Sequence, residues 1–207
     1  MLYIKTVEPK TFSVLRALMA LPALRDFSLV GGTALSLLYG HRKSIDIDLF
    51  CDQPFETESV ANTLTHEFSS SFSIRTSTNF GLFGFIEDVK VDFVRHYQPL
   101  LNPSRTLEGI KMFSLEDIVA MKVQAILGRG RKKDFWDIAE LLDHYSVGDF
   151  VDFHKSKYSG QNLMITVPQA MTFFNDADTD EDPIGLKGQT WSSVKTRIAK
   201  SVRGYLT

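Results

Sequence analysis

The run Ile45-Asp46-Ile47-Asp48-Leu49-Phe50 constrains the chain more than any other segment. Apolar and acidic residues alternate strictly, which is the period of a strand with one face buried. Ile45, Ile47 and Leu49 are then predicted to point into a core, leaving Asp46 and Asp48 together on the opposite face, roughly 7 Å apart. Two like charges so placed repel unless something offsets them. Magnesium does so with a few carboxylates plus substrate phosphates, and manganese is the alternative metal. Taken alone, an Asp-x-Asp pair also suits a solvated strand edge. A second alternating run, Val89-Lys90-Val91-Asp92-Phe93-Val94, changes the balance. Its Val91 and Phe93 are predicted to face inward with Asp92 outward. Paired beside the first strand, it would bring a third carboxylate to the same metal site, and metals held by such acids serve in-line phosphoryl displacement.

Gly31-Gly32-Thr33 lies between a strand candidate, Phe27 to Val30, and a helix candidate, Ala34 to Tyr39. Glycines let backbone approach a ligand closely, and a helix start offers unpaired N–H groups to phosphate. A tight turn would use the same residues. Lys122 is the most informative single position. On a helix from Leu115 to Leu127, residues 115, 118, 119 and 126 form an apolar stripe, and Lys122 falls in its middle at ~100° per residue. A lysine there must either extend its amine to solvent or meet an anion. The following Arg131-Lys132-Lys133 could bind phosphates or be a solvated turn. Asp134 is placed at the margin of the next helix's apolar stripe, where an N-terminal acid also suits the dipole. Asp137 is predicted to point further toward solvent. Trp136 and Cys51 read as packing residues, and the five histidines lack zinc-ligand spacing.

Strand candidates continue at Ser73 to Arg75 and Leu82 to Ile86, with helices at Thr6 to Leu21 and Glu58 to Phe68. Helical patterns dominate from Ser114, a predicted cap with Phe113 and Ile118 stapling across it. Trp191, Val194, Ile198, Val202 and Tyr205 mark one face of a terminal helix, and the acidic segment 175–183 reads as a mobile loop. Strands first and helices later give an α+β fold, with residues 1–110 as the core carrying the metal-binding carboxylates and 111–207 as a helical region that contains Lys122 and Asp134. The net charge of −2 means that any polyanion contact must come from a local basic patch. A single cysteine excludes an internal disulfide and suits a reducing cytoplasm. No apolar run approaches a membrane span, and the N-terminus does not read as a signal peptide.

Taken in order, Gly31-Gly32-Thr33-Ala34-Leu35, Gly40-His41-Arg42 and Ser44 to Phe50 resemble the AbiEii-type nucleotidyltransferases of the DNA polymerase β-like superfamily. Lys122 and the run Arg131 to Ile138 resemble that family's two C-terminal motifs, so the resemblance covers about Val30 to Leu142. It implies a mixed sheet with flanking helices and the toxin of a bacterial toxin–antitoxin or phage-defence system, with a cognate antitoxin. Some relatives, the MenT toxins, add nucleotides to tRNA 3′ ends. By matching position, Thr33 would help bind the triphosphate, Asp46 and Asp48 would bind magnesium, Lys122 would contact nucleotide, and Asp134 would match the acid of the last motif. Threonine stands where the family usually has serine and keeps the hydroxyl.

The expected reaction is transfer of a nucleoside monophosphate from an NTP to an acceptor hydroxyl, with RNA as the favoured acceptor. Gly31, Gly32, Thr33, Arg42 and Lys122 would hold the nucleotide; Asp46, Asp48 and Asp92 would hold the metal. Transfer to a protein side chain is the alternative enzyme. A nucleotide-sensing or partner-binding module with a relic site is the non-enzyme alternative.

Overall fold

Two alternating segments sit at the centre of a seven-stranded mixed sheet in the computed structural model, which describes residues 1–207. The strands are β1 (Ser28–Leu29), β2 (Ile47–Cys51), β3 (Phe72–Thr78), β4 (Gly81–Ile86), β5 (Val89–Arg95), β6 (Arg105–Leu107) and β7 (Ile110–Met112). Their spatial order is β3-β4-β5-β2-β1-β7-β6. β2 and β5 run parallel, as do β1 and β7; the other neighbours are antiparallel. Ile47 and Leu49 of β2, and Val91 and Phe93 of β5, are buried as the period-two pattern requires. Ile45 is 61% exposed, because the strand begins only at Ile47 and the alternation does not extend to it.

β6 and β7 escaped the sequence reading. They form a hairpin of three-residue strands, with Glu108 and Gly109 both at positive φ in the turn. That is the backbone a two-residue hairpin loop demands, and Glu-Gly is a weaker signal for it than Asn-Gly or Asp-Gly.

The helices are α1 (Pro9–Ala20), α2 (Gly31–Tyr39), α3 (Thr57–Phe68), α4 (Leu115–Gly128), α5 (Lys132–Leu141), α6 (Val147–Lys157), α7 (Val167–Thr172) and α8 (Trp191–Leu206). Ser114 caps α4, its Oγ accepting from the Asp117 N–H at 3.1 Å. Capping boxes open α6, α7 and α8 at Ser146, Thr166 and Thr190. One cluster of 43 buried apolar side chains runs from Leu2 to Val202, so the strand-rich and helical halves share a core. On α8, Val194, Ile198 and Val202 are buried in it, while Tyr205 is exposed. No helix is long and apolar enough to cross a membrane.

The acidic segment 175–183 is fastened rather than loose. Asp178 accepts from Trp191 Nε1 at 2.6 Å and from Lys195 Nζ at 2.8 Å. Asp180 accepts from the Lys132 N–H at 3.0 Å, and Asp182 pairs with Lys132 Nζ at 2.9 Å. Its acidity therefore has a structural partner: the start of α5 and the first turns of α8. Beyond it, Ile184 and Leu186 bond to the backbone of Lys43 and His41 at 2.8 Å each.

Candidate active site

Parallel pairing of β2 with β5 sets Asp48 directly opposite Asp92, on the sheet face away from the core. Asp46 stands just before β2. Its carbonyl accepts from the Thr33 hydroxyl, which also bonds Ser44 Oγ at 2.8 Å. Asp46, Asp48 and Asp92 line one cavity of about 290 Å³, together with Gly31, Gly32, Arg42, Ser44, Lys122, Arg129 and Lys133. Thr33 is 1% exposed and is not part of the lining. The structure thus turns its hydroxyl inward, where it positions the Asp46 backbone, rather than toward a triphosphate.

Two glycines make this convergence sterically possible. Gly31 has φ +70°, and a Cβ there would lie 2.9 Å from Asp48 Oδ2. A Cβ on Gly32 would lie 2.1 Å from the Arg42 guanidinium. The pair lets the start of α2 sit against the aspartate and the arginine simultaneously. That helix start carries no side-chain cap and opens onto the cavity, as an anion-binding helix terminus does.

Lysines stand among the carboxylates. Lys90 Nζ pairs with Asp92 Oδ2, and Lys133 Nζ lies 3.4 Å from Asp46 Oδ2. Asp92 Oδ1 is buried without a hydrogen-bond partner. Burial pushes the Asp48 carboxyl above the ordinary carboxylate value; Lys90 opposes this, and Asp92 and Asp46 reinforce it. An all-oxygen donor set with an orphaned buried carboxylate oxygen is chemistry suited to a hard cation. No three acidic, histidine or cysteine side chains are gathered into a ready metal cage. Magnesium does not require one, because it binds through one or two carboxylates and completes its shell with water and substrate phosphate.

Lys122 meets an anion, and the anion is internal. Its Nζ lies 2.8 Å from Asp134 Oδ1 and 2.7 Å from Asp137 Oδ2. Asp137 is the hub: Arg42 donates to it through Nε at 2.7 Å and Nη2 at 2.8 Å, and His41 Nε2 lies 2.7 Å away. Arg42 Nη1 donates to the Lys43 carbonyl at 2.9 Å. Far from pointing to solvent, Asp137 is fully buried; the apolar-stripe argument failed because α5 is covered on nearly every side. Burial alone would raise its carboxyl, but Arg42 and Lys122 hold it well below the ordinary carboxylate value. Lys122 is shifted upward, since Asp134 and Asp137 overcome the penalty of burial.

Asp134 is likewise fully buried, behind Lys122 and outside the cavity lining, with Arg129 3.6 Å from its other oxygen. The structure therefore ties Arg42 and Lys122, both in the cavity lining, to one buried acid, Asp137, which sequence reasoning had turned toward solvent; Asp134 joins them through Lys122. The adjacent His41-Arg42 pair, with acids at 134 and 137 one helical turn apart, was the signal available. Lys132 is 5% exposed and committed to Asp180 and Asp182, so the basic run offers only Arg131 and Lys133 to a ligand.

Comparison with known proteins bears on the fold and the family. An Aquifex aeolicus (strain VF5) protein, the uncharacterized aq_aa25, is 31% identical over 202 residues, covering 93% of this chain and 94% of its own. MenT4, a nucleotidyltransferase toxin of Mycobacterium tuberculosis H37Rv, shares the fold with a TM-score of 0.62 at 12% identity, over 94% of this chain and 84% of its own. JHP933 from Helicobacter pylori does so with a TM-score of 0.58 at 15% identity, over 95% and 92%. Residues 13–189 match the family described as nucleotidyl transferase AbiEii toxin, type IV TA system. With most of its length matched, the chain belongs to the AbiEii nucleotidyltransferase toxin family.

Proposed function

We propose that this nucleotidyltransferase toxin moves a nucleoside monophosphate from an NTP to a hydroxyl of RNA, using Asp46, Asp48 and Asp92 around magnesium, with manganese as the alternative. The observation that carries the reading is that these three carboxylates and the glycine start of α2 open onto one cavity. When bound, the metal neutralises the triphosphate and lowers the pKa of the acceptor hydroxyl. The backbone N–H groups at Gly31 and Gly32 receive phosphate oxygens at the helix start. Lys133 and Arg129 add positive charge from the cavity rim. Lys122 uses two of its three N–H donors on Asp134 and Asp137, leaving one for the nucleotide. Arg42 and Asp134 act through Lys122 and Asp137 as positioning residues.

The acceptor oxygen bonds to the α-phosphorus as the bond from that phosphorus to the β-phosphate oxygen breaks. Pyrophosphate leaves, and the acceptor proton passes to solvent water at the open cavity. In this reading residues 1–110 form the transferase core and 111–207 supply Lys122. The protein works in the cytoplasm, and a cognate antitoxin restrains it. RNA is favoured as acceptor because exposed cations, Arg129, Arg131 and Lys133, flank the cavity of a chain that is otherwise slightly acidic.

Incubating the protein with magnesium, each NTP labelled at the α-phosphate, total RNA and total protein tests the acceptor. Label is expected in the RNA fraction. Label confined to protein would replace the RNA acceptor with a protein side chain.

A further inference from the structure

The row of paired residues through Asp48 does not stop at the carboxylates. Asp48 pairs with Asp92, Asp92 with Phe83 and Phe83 with Thr76, so one straight row crosses β2, β5, β4 and β3. In the next row Lys90 pairs with Phe85 and Phe85 with Ser73. The period-two rule puts Asp92, Lys90, Phe83 and Phe85 on the same outer face. Leu82, Ile86, Val91 and Phe93 take the inner face and are buried. Neighbouring strands lie about 4.8 Å apart, so Phe83 is one strand beyond Asp92.

This outer face holds a second depression, of about 170 Å³, lined by Arg75, Thr76, Phe83, Gly84, Phe85, Lys90 and Asp92. Phe83 and Asp92 also line the catalytic cavity, so the two are continuous. Phe85 is 36% exposed and Arg75 is exposed, although both lie on strands of the sheet. Phe80, in the β3–β4 turn, is 44% exposed and meets the Phe83 ring edge-on at 6.0 Å. Aromatic rings and a guanidinium thus stand together at the surface beside a carboxylate site.

Resting on the RNA-acceptor reading above, we infer that the outer face of β3, β4 and β5 seats the acceptor as a single-stranded polynucleotide end. Bases stack on Phe83 and Phe85, Arg75 takes a backbone phosphate, and the terminal hydroxyl reaches Asp92. Aromatic rings beside cations are the chemistry by which unpaired nucleotides are held, because every base offers a flat face to stack. The pairing rows bring the reactive end to Asp92, whose Oδ1 is buried without a hydrogen-bond partner. On the other side of Asp46, the cleft that holds Arg131 and Lys133 has no aromatic ring on which a base could stack.

The test uses the full chain and a fluorescein-labelled mixed-sequence 12-nucleotide RNA with a free 3′ hydroxyl. Anisotropy titration should show Phe85→Ala and Arg75→Glu each binding about tenfold more weakly than the wild type, with Phe85→Trp restoring affinity. Annealing the RNA into a blunt duplex should weaken binding by the wild type. Thermal shifts with magnesium chloride and an equimolar mixture of ATP, GTP, CTP and UTP should be the same for all variants, since neither residue lines the catalytic cavity. If the wild type labels RNA but both variants bind the 12-mer with unchanged affinity, the platform is wrong and the acceptor reading stands. If label enters protein only, both fall.

Discussion

Asp137→Ala is expected to destabilise the protein by about 3–5 kcal/mol, the cost of removing one partner from a buried ion network. The change strips Arg42 of both its side-chain acceptors while leaving that guanidinium 3% exposed. For a chain of this size the melting temperature should fall on the order of 10 °C. Asp134→Asn should cost less, because Lys122 retains Asp137 at 2.7 Å. The pH dependence follows from the same contacts. Asp137 is held below 3.8, so its contribution is present above that value and disappears as pH falls through the lowered folded-state pKa. Lys122 is raised above 10.5, so its contribution is complete below that value and is lost as pH rises through the raised one. Urea melts across pH should show the wild type minus Asp137→Ala difference as a plateau between these limits. A difference under 1 kcal/mol at pH 7 would mean that the network does not hold the segment after α2 against α4 and α5.

Asp48→Asn is expected to separate activity from stability in opposite directions. Loss of a charged group from the proposed metal site should reduce transfer by at least about a hundredfold. Without metal or nucleotide, however, the variant should melt higher than the wild type. Burial lifts the Asp48 carboxyl above 3.8, so the folded chain holds that proton more tightly than the unfolded chain does. As pH climbs from 3.8 through the raised value, ionising this group costs folding free energy, and asparagine removes the cost. Each kcal/mol so recovered is worth about 2–4 °C. Added magnesium chloride with mixed NTPs should stabilise the wild type and leave the variant nearly unmoved. A variant that melts lower than the wild type and keeps its turnover would place Asp48 in the framework instead of the site.

Short-range periodicity made β2 and β5 readable, and with them Asp48 and Asp92, because a strand with one buried face writes its own alternation. It could not supply the register. That Asp48 faces Asp92 is a long-range pairing of residues 44 positions apart. Lys122 was conspicuous as a charge in an apolar stripe, yet what it meets depends on α4 crossing α5. Asp137 was misread for the same reason: a single helix's polar side is not solvent when other elements cover it. Thr33 shows a third limit. Its hydroxyl was legible and its direction was not, since Ser44 and the Asp46 carbonyl claim it only once the chain has turned back at Gly40, whose φ of +69° ends α2. The acidic segment 175–183 looked unconstrained because its partners, Lys132 and Lys195, lie outside it in sequence.

The most direct measurement follows two labels through one turnover. The protein is incubated with magnesium, total RNA and an NTP labelled at either the α- or the γ-phosphate, in parallel with Asp48→Asn. Nucleotidyl transfer by these carboxylates puts the α label into RNA and the γ label into pyrophosphate, in equal amounts, and the variant does neither. Appearance of the γ label in RNA, or equal incorporation of the α label by the variant, would contradict it.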